Sequence, residues 1–214
     1  MTERKPRKDA ARNRAALLDA ADTLFAQCDD PRRVTMADIA AAANVGKGTL
    51  FRAFGDRTGL IHTLYIARLE PIRHAAETGP PPLGPTTPPR ERIPALLDAL
   101  LSFKLGHRHL ALALEESGST SPYQAAHYER WHSTLQATLE RIPGLTGCDF
   151  TAHALLAATR ADLIEHLTGH VGMSGEQIRA RLSDHTAKLL AETQDRTAGG
   201  PDGIDSPGRA GRIR

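Results

Sequence analysis

Apolar positions recur at three- and four-residue steps from residue 11 onward. Leu17, Ala21, Leu24, Phe25 and Cys28 form one stripe, which predicts a helix of about 18 residues halted by Pro31. Thr35 then precedes Met36, Ile39, Ala40 and Ala43, and its hydroxyl is suited to accept from an orphan N–H in the first turn of a short second helix. Asn44 tolerates a left-handed backbone and marks a tight turn. A third helix runs from about Gly46 through Leu50 and Phe51 to Phe54, after which Gly55 and Asp56 supply a stop and the N-cap of a fourth. The fourth helix carries Leu60, Ile61, Leu64, Tyr65 and Leu69 on its inner face, with Pro71 kinking or ending it.

Residues 80–89 read PPPLGPTTPP, six prolines that neither a helix interior nor a central strand accommodates, so a linker or long loop is expected there. Helical stretches follow at about 91–105, 107–117, 122–141, 149–171 and 175–193, then a tail rich in Gly, Pro, Arg and Asp. No strand-like alternation of useful length occurs, and aromatic residues are only 4% while Ala and Leu dominate the apolar set. The expected fold is therefore all-α. Its parts are a disordered basic arm (1–11), a helix-turn-helix domain (12–55), a connecting helix (56–79), a Pro-rich loop (80–90), a larger helical domain (91–194) and a disordered tail (195–214).

The formal charge of +2 is too small to make the whole chain basic, but Arg4, Lys5, Arg7, Lys8, Arg12 and Arg14 crowd its first residues against only Glu3 and Asp9. Such an arm suits phosphates. The block Val34 to Phe54, VTMADIAAAANVGKGTLFRAF, is a capped short helix, a turn and a second short helix that packs through Ile39, Ala43, Val45, Leu50 and Phe54. Its outward side then offers Lys47, Gly48, Thr49 and Arg52 to phosphates and base edges.

At this block the chain resembles the tetracycline-repressor (TetR) family, whose pattern runs T-[VMI]-x-x-I-A-x-x-A-G-V-[ST]-x-G-[TS]-[LI]-Y-x-[HY]-F-x-x-K. Thr35, Ile39, Ala40, Ala43, Val45, Gly48, Thr49, Leu50 and Phe54 match it in register, and LLDAADTLFAQ resembles the family's first helix. The departures are Asn44 for the turn Gly, Gly46 for Ser or Thr, Phe51 for Tyr, Ala53 for His and Arg57 for Lys. The resemblance implies that Arg33, Thr35, Met36, Lys47, Gly48, Thr49, Phe51, Arg52 and Arg57 lie against double-stranded DNA. Thr35, Arg57 and the backbone near Phe51 would set register on phosphates, and Lys47, Thr49 and Arg52 would reach bases. It further implies a homodimer on a palindromic operator, paired through the last long helices with Leu155, Leu156, Leu163, Leu167, Leu189 and Leu190 on the apolar faces, and repression relieved by a small-molecule effector.

No local motif identifies that effector. Phe103, His107, Leu110, Leu114, Tyr123, Tyr128, Trp131, His132 and Arg160 mix apolar walls with polar tips, as a pocket between helices does. His166 with His170 and His107 with His109 are near pairs, but neither has a Cys or Glu-x-x-His companion, so no metal is expected. Hydrolase, phosphate-loop and zinc-protease motifs are absent, and Glu115, Glu116 and Ser117 adjoin without sharing a helix face, so no catalysis and no cofactor are expected. Two cysteines without redox spacing and the lack of a long apolar run point to a cytoplasmic protein with no membrane partner. A helical module that keeps this fold but reads no specific operator is the second reading, and a helical enzyme the third.

Overall fold

Ten helices account for nearly all regular structure in the computed structural model, which describes residues 4–28, 33–116 and 126–198, without the side chains of 4–8, 115–116 and 192–198. They are α1 (Arg4–Gln27), α2 (Met36–Ala42), α3 (Lys47–Phe54), α4 (Arg57–Thr78), α5 (Pro89–Gly106), α6 (Arg108–Glu116), α7 (Ala126–Leu139), α8 (Cys148–Ala157), α9 (Ala161–Gly169) and α10 (Gly175–Ala198). No strand occurs among the described residues. Pro31, Tyr123, Ser117 and most of the expected tail, residues 199–214, lie outside them, as do the side chains of Glu115 and Glu116.

The chain departs from the expected arm at once, because α1 is already helical from Arg4. Pro6 does not prevent this: it stands in the first turn, where the missing N–H had no intrahelical partner in any case. At the other end α10 continues to Ala198, past the expected close near 193.

Local chemistry sets the α2–α4 path. Thr35 and Asp38 form a reciprocal capping box at the start of α2. Asn44 takes φ 51°, the expected left-handed turn, and Val45 N–H donates to Ala40 O at 2.9 Å to close it. Asp56 caps α4 through the Gly59 N–H at 2.8 Å. Gly59 is required there, since a Cβ at that position would sit 2.1 Å from Phe54 O.

The fourth helix continues past Pro71 to Thr78, so the proline does not end it. One i→i−4 bond is forfeited, but Leu69 and Ala76 are buried on either side of it, and Arg73 pairs with both Glu70 and Glu77 along the exposed flank. The Pro-rich segment is a packed loop, with Thr87 fully buried, and α5 starts on Pro89 at its first position.

The expected helix 149–171 is instead two. Between α8 and α9, the buried Thr159 hydroxyl donates to Leu156 O at 2.9 Å and satisfies a terminal carbonyl, while Arg160 takes an extended ψ of 143° as the N-cap of α9. Most of the leucines expected to pair two protomers do not face out. Leu155, Leu156 and Leu190 are buried in the protomer's own core, Leu167 and Leu189 are half-buried, and Leu163 alone of the six expected pairing leucines is exposed.

One continuous core joins the parts. Leu17, Phe25, Ile39, Leu50 and Leu60 fill its N-terminal end, and Ile93, Leu96, Leu97, Leu101, Leu110 and Leu135 the other. Each fully buried Leu contributes about 2 kcal/mol relative to exposure. Leu64 and Tyr65 of α4 link the two ends, so α4 is the mechanical connection between the short N-terminal helices and the larger bundle.

Candidate nucleic-acid interface

Helix α3 buries Leu50 and Phe54 against α1, α2 and α4, and this fixes which residues its opposite side presents. Lys47, Gly48, Phe51 and Arg52 are exposed, and Thr49 is half-buried. Phe51 is 48% exposed, a large apolar ring held in solvent beside two cations. The exposed part of the ring suits contact with sugar or a thymine methyl.

Arg14 holds the C-terminal end of α3, and Arg57 braces the neighbouring segments. Arg14 of α1 donates to Ala53 O at 2.9 Å, and its guanidinium lies 4.5 Å over the Phe54 ring, satisfying a carbonyl at the α3 C-terminus. Arg57 donates from Nε to Val34 O at 3.4 Å, with its guanidinium carbon 5.5 Å from the Phe25 ring centre. Arg14 stood in the sequence only as one of the basic arm residues. Its clamping role depends on α1 crossing α3, which no local signal foretells.

The remaining sequence candidates divide. Arg33 is exposed immediately before α2. Thr35 is exposed as well, but its hydroxyl donates to Asp38 Oδ2 at 2.7 Å and accepts from the Asp38 N–H at 3.2 Å, while its own N–H donates to Asp38 Oδ2 at 2.9 Å. These bonds, with Lys47 nearby, hold the Asp38 carboxyl below the usual carboxylate range. Thr35 is thus a cap in this structure; the Thr-x-x-Asp spacing that produces the box was legible in the sequence. Met36 is half-buried and packs on the core.

The residues expected to line one pocket are dispersed. Phe103 is buried edge-on against Tyr65, with His107 stacked on it at 4.6 Å. Leu110 is core, Leu114 packs against the core, and Arg160 stands at the N-cap position of α9 and pairs with Asp162. Tyr128 and His132 turn toward α8 and His153. Trp131 alone of these lines the cavity of about 240 Å³ between α4 and α7. Its other walls, His62, Ile66, Leu69 and Arg73 on α4 with His127 and Arg130 on α7, went unrecognised because their spacing has meaning only once α4 and α7 are side by side.

Comparison with known proteins places these features in context. Residues 17–64 match the sequence pattern described as bacterial regulatory proteins, tetR family. An HTH-type transcriptional regulator of Staphylococcus aureus is 26% identical over 186 residues, covering 85% of this chain and 96% of that protein. Among solved structures, a TetR-family transcriptional regulator from Rhodococcus sp. superposes with a TM-score of 0.58 at 21% identity, covering 84% of this chain and 99% of that one. NalD of Pseudomonas aeruginosa, described as the secondary repressor of the MexAB-OprM multidrug efflux pump, superposes with a TM-score of 0.53 at 16% identity over 86% of this chain and 97% of its own. At such identities the structural likeness concerns the fold.

Proposed function

We propose that the chain is a transcriptional regulator of the TetR family, which its likenesses support, and that it binds a palindromic operator as a homodimer, represses, and is released by a small-molecule effector. The observation that carries the operator reading is the outward face of α3: Lys47, Gly48, Thr49, Phe51 and Arg52 on a helix whose other side is locked into the core. In a major groove, Lys47 and Arg52 donate to phosphate or guanine acceptors, Gly48 allows the backbone close to the DNA, and Phe51 packs on sugar or methyl groups. Arg33 and Arg57, flanking this face, add phosphate contacts. One helix this short spans few base pairs, so useful affinity requires a second copy across a two-fold axis.

Release rests on α4. The same helix that supports α3 also walls the cavity against α7. An effector lodged beside Ile66, Leu69 and Trp131 displaces α4 and with it the separation of the two α3 helices in the dimer. To empty the operator it must favour the unbound arrangement by a few kcal/mol, roughly 5.5 kcal/mol for a shift from 1:99 to 99:1. NalD provides a repressor of the same fold as precedent.

A competition gel shift with DNA flanking the protein's own gene tests the operator reading. Lys47→Ala and Arg52→Ala are expected to weaken specific binding by about 1–3 kcal/mol each if they touch bases, with the dimer intact by sedimentation. Undiminished affinity in both variants would remove α3 from the interface. Binding that follows salt but ignores sequence would favour the second reading, a module without a specific operator, for which the missing hydroxyl at Phe51 and the missing imidazole at Ala53 speak.

A further inference from the structure

Away from the DNA-facing helices, two histidines and a carboxylate converge where α7 packs on α8. His132 comes from α7, and Asp149 and His153 stand four residues apart on one side of α8. One ligand atom from each lies within 4.8 Å of the other two. His132 Nε2 is 3.3 Å from Asp149 Oδ1 and 3.2 Å from the Asp149 carbonyl oxygen, and the two imidazoles stack at 3.9 Å.

We infer that His132, Asp149 and His153 form a binding site for a divalent transition-metal ion of the zinc class. Two imidazole nitrogens and a carboxylate are borderline donors that suit Zn²⁺, Co²⁺, Ni²⁺ or Cu²⁺ over the all-oxygen preference of Mg²⁺ and Ca²⁺. Three protein ligands leave a fourth position for water or an exogenous donor.

The surroundings match what an imidazole ligand needs. Tyr128 Oη and His153 Nδ1 share a 2.6 Å hydrogen bond, which orients the ring and leaves Nε2 as its open ligand atom. A partner on the far nitrogen is the usual companion of a metal-bound histidine. The His132 side chain is only 13% exposed and is held in place, whereas that of Asp149 is 69% exposed and can turn inward. Metal–ligand bonds of about 2.0–2.1 Å put tetrahedral donor atoms roughly 3.3 Å apart, and the mobile carboxylate can make that closure. The bound ion ties α7, which walls the effector cavity, to α8.

Titrating the metal-free full-length protein with Co²⁺ is expected to produce visible d–d absorption saturating at one ion per protomer, and Zn²⁺ to displace it. His132→Ala and His153→Ala should abolish the signal, Asp149→Asn should weaken binding at least 10-fold, and Tyr128→Phe should weaken it about 10- to 100-fold. His166→Ala with His170→Ala, the stacked pair on α9 and its C-cap, should change nothing. If either histidine variant loses helicity by circular dichroism, the Asp149 and Tyr128 variants decide. No saturable Co²⁺ signal in the wild type, retention of it in folded His132→Ala and His153→Ala, unchanged affinity in both the Asp149 and Tyr128 variants, or its loss in the α9 pair overturns the site. The titration uses no DNA, so it stands apart from the operator reading.

Discussion

Under the proposed operator reading, Gly48 is a position where the demands of folding and of binding separate. A Cβ there meets no atom within 4 Å, so the protomer has room for a side chain on the exposed face of α3. Glycine in a helix is also disfavoured by about 0.5–1 kcal/mol relative to alanine. Gly48→Leu is therefore expected to leave the thermal midpoint unchanged or slightly raised, while sharply reducing operator affinity because the branched side chain holds the helix off the groove. A matched pair of thermal-melt and gel-shift measurements checks this. Operator affinity equal to that of the wild type would mean that the backbone at residue 48 does not approach DNA.

Arg92 performs an equivalent task between elements. It is buried near the start of α5 and donates to Ala76 O at 2.7 Å, to Leu83 O at 2.9 Å and to Thr138 Oγ1 at 3.1 Å, joining the end of α4, the Pro-rich loop and α7. Burial and the nearby Arg141 push its guanidinium pKa down, yet it makes neutral hydrogen bonds to three separate segments that only a planar, multi-donor fork can reach. Arg92→Ala strands those acceptors, and the expected loss is about 2–4 kcal/mol of unfolding free energy. Urea denaturation should show it as a lower midpoint with an unchanged slope. Arg92→Lys should recover only part of the loss.

Across the whole molecule, one histidine marks the contact between the short N-terminal helices and the bundle. His109 of α6 lies 5.8 Å from the Phe25 ring of α1, and its Nε2 is buried without a hydrogen-bond partner among the described residues. Burial, with His107 nearby, pushes its pKa below the usual 6.5. Unfolded chain then binds a proton that the folded chain refuses, so stability is full above about pH 6.5 and declines as pH falls from there toward the lowered value. His109→Leu should flatten this part of the stability–pH curve, which denaturation at pH 7.5, 6.5 and 5.5 measures; an unaltered slope would clear His109 of the effect.

The proposed pairing of two protomers also belongs to this scale. Phe150 is 76%, Leu163 38% and Val171 55% exposed, and all lie on or beside α8 and α9. Phe150→Glu with Leu163→Glu is expected to shift the sedimentation profile to the monomer, and an unshifted dimer would locate the two-fold axis elsewhere.

Short-range chemistry carried much of the design in the linear order of residues. The Thr35 cap, the Asn44 turn, the Asp56 cap and the apolar spacing of α1 to α4 each depend on neighbours within about four positions, and each was readable for that reason. The chain's likeness to a regulator family rests on the same block. Long-range packing settled what spacing cannot express: that α4 continues through Pro71, that 149–171 is broken into two helices, that Leu155 and Leu156 lie in the core, that the expected pocket residues scatter, and that His132 meets Asp149 and His153. Helical periodicity specifies which positions share a face; it is the meeting of two such faces, summed over a whole core, that determines what each one touches.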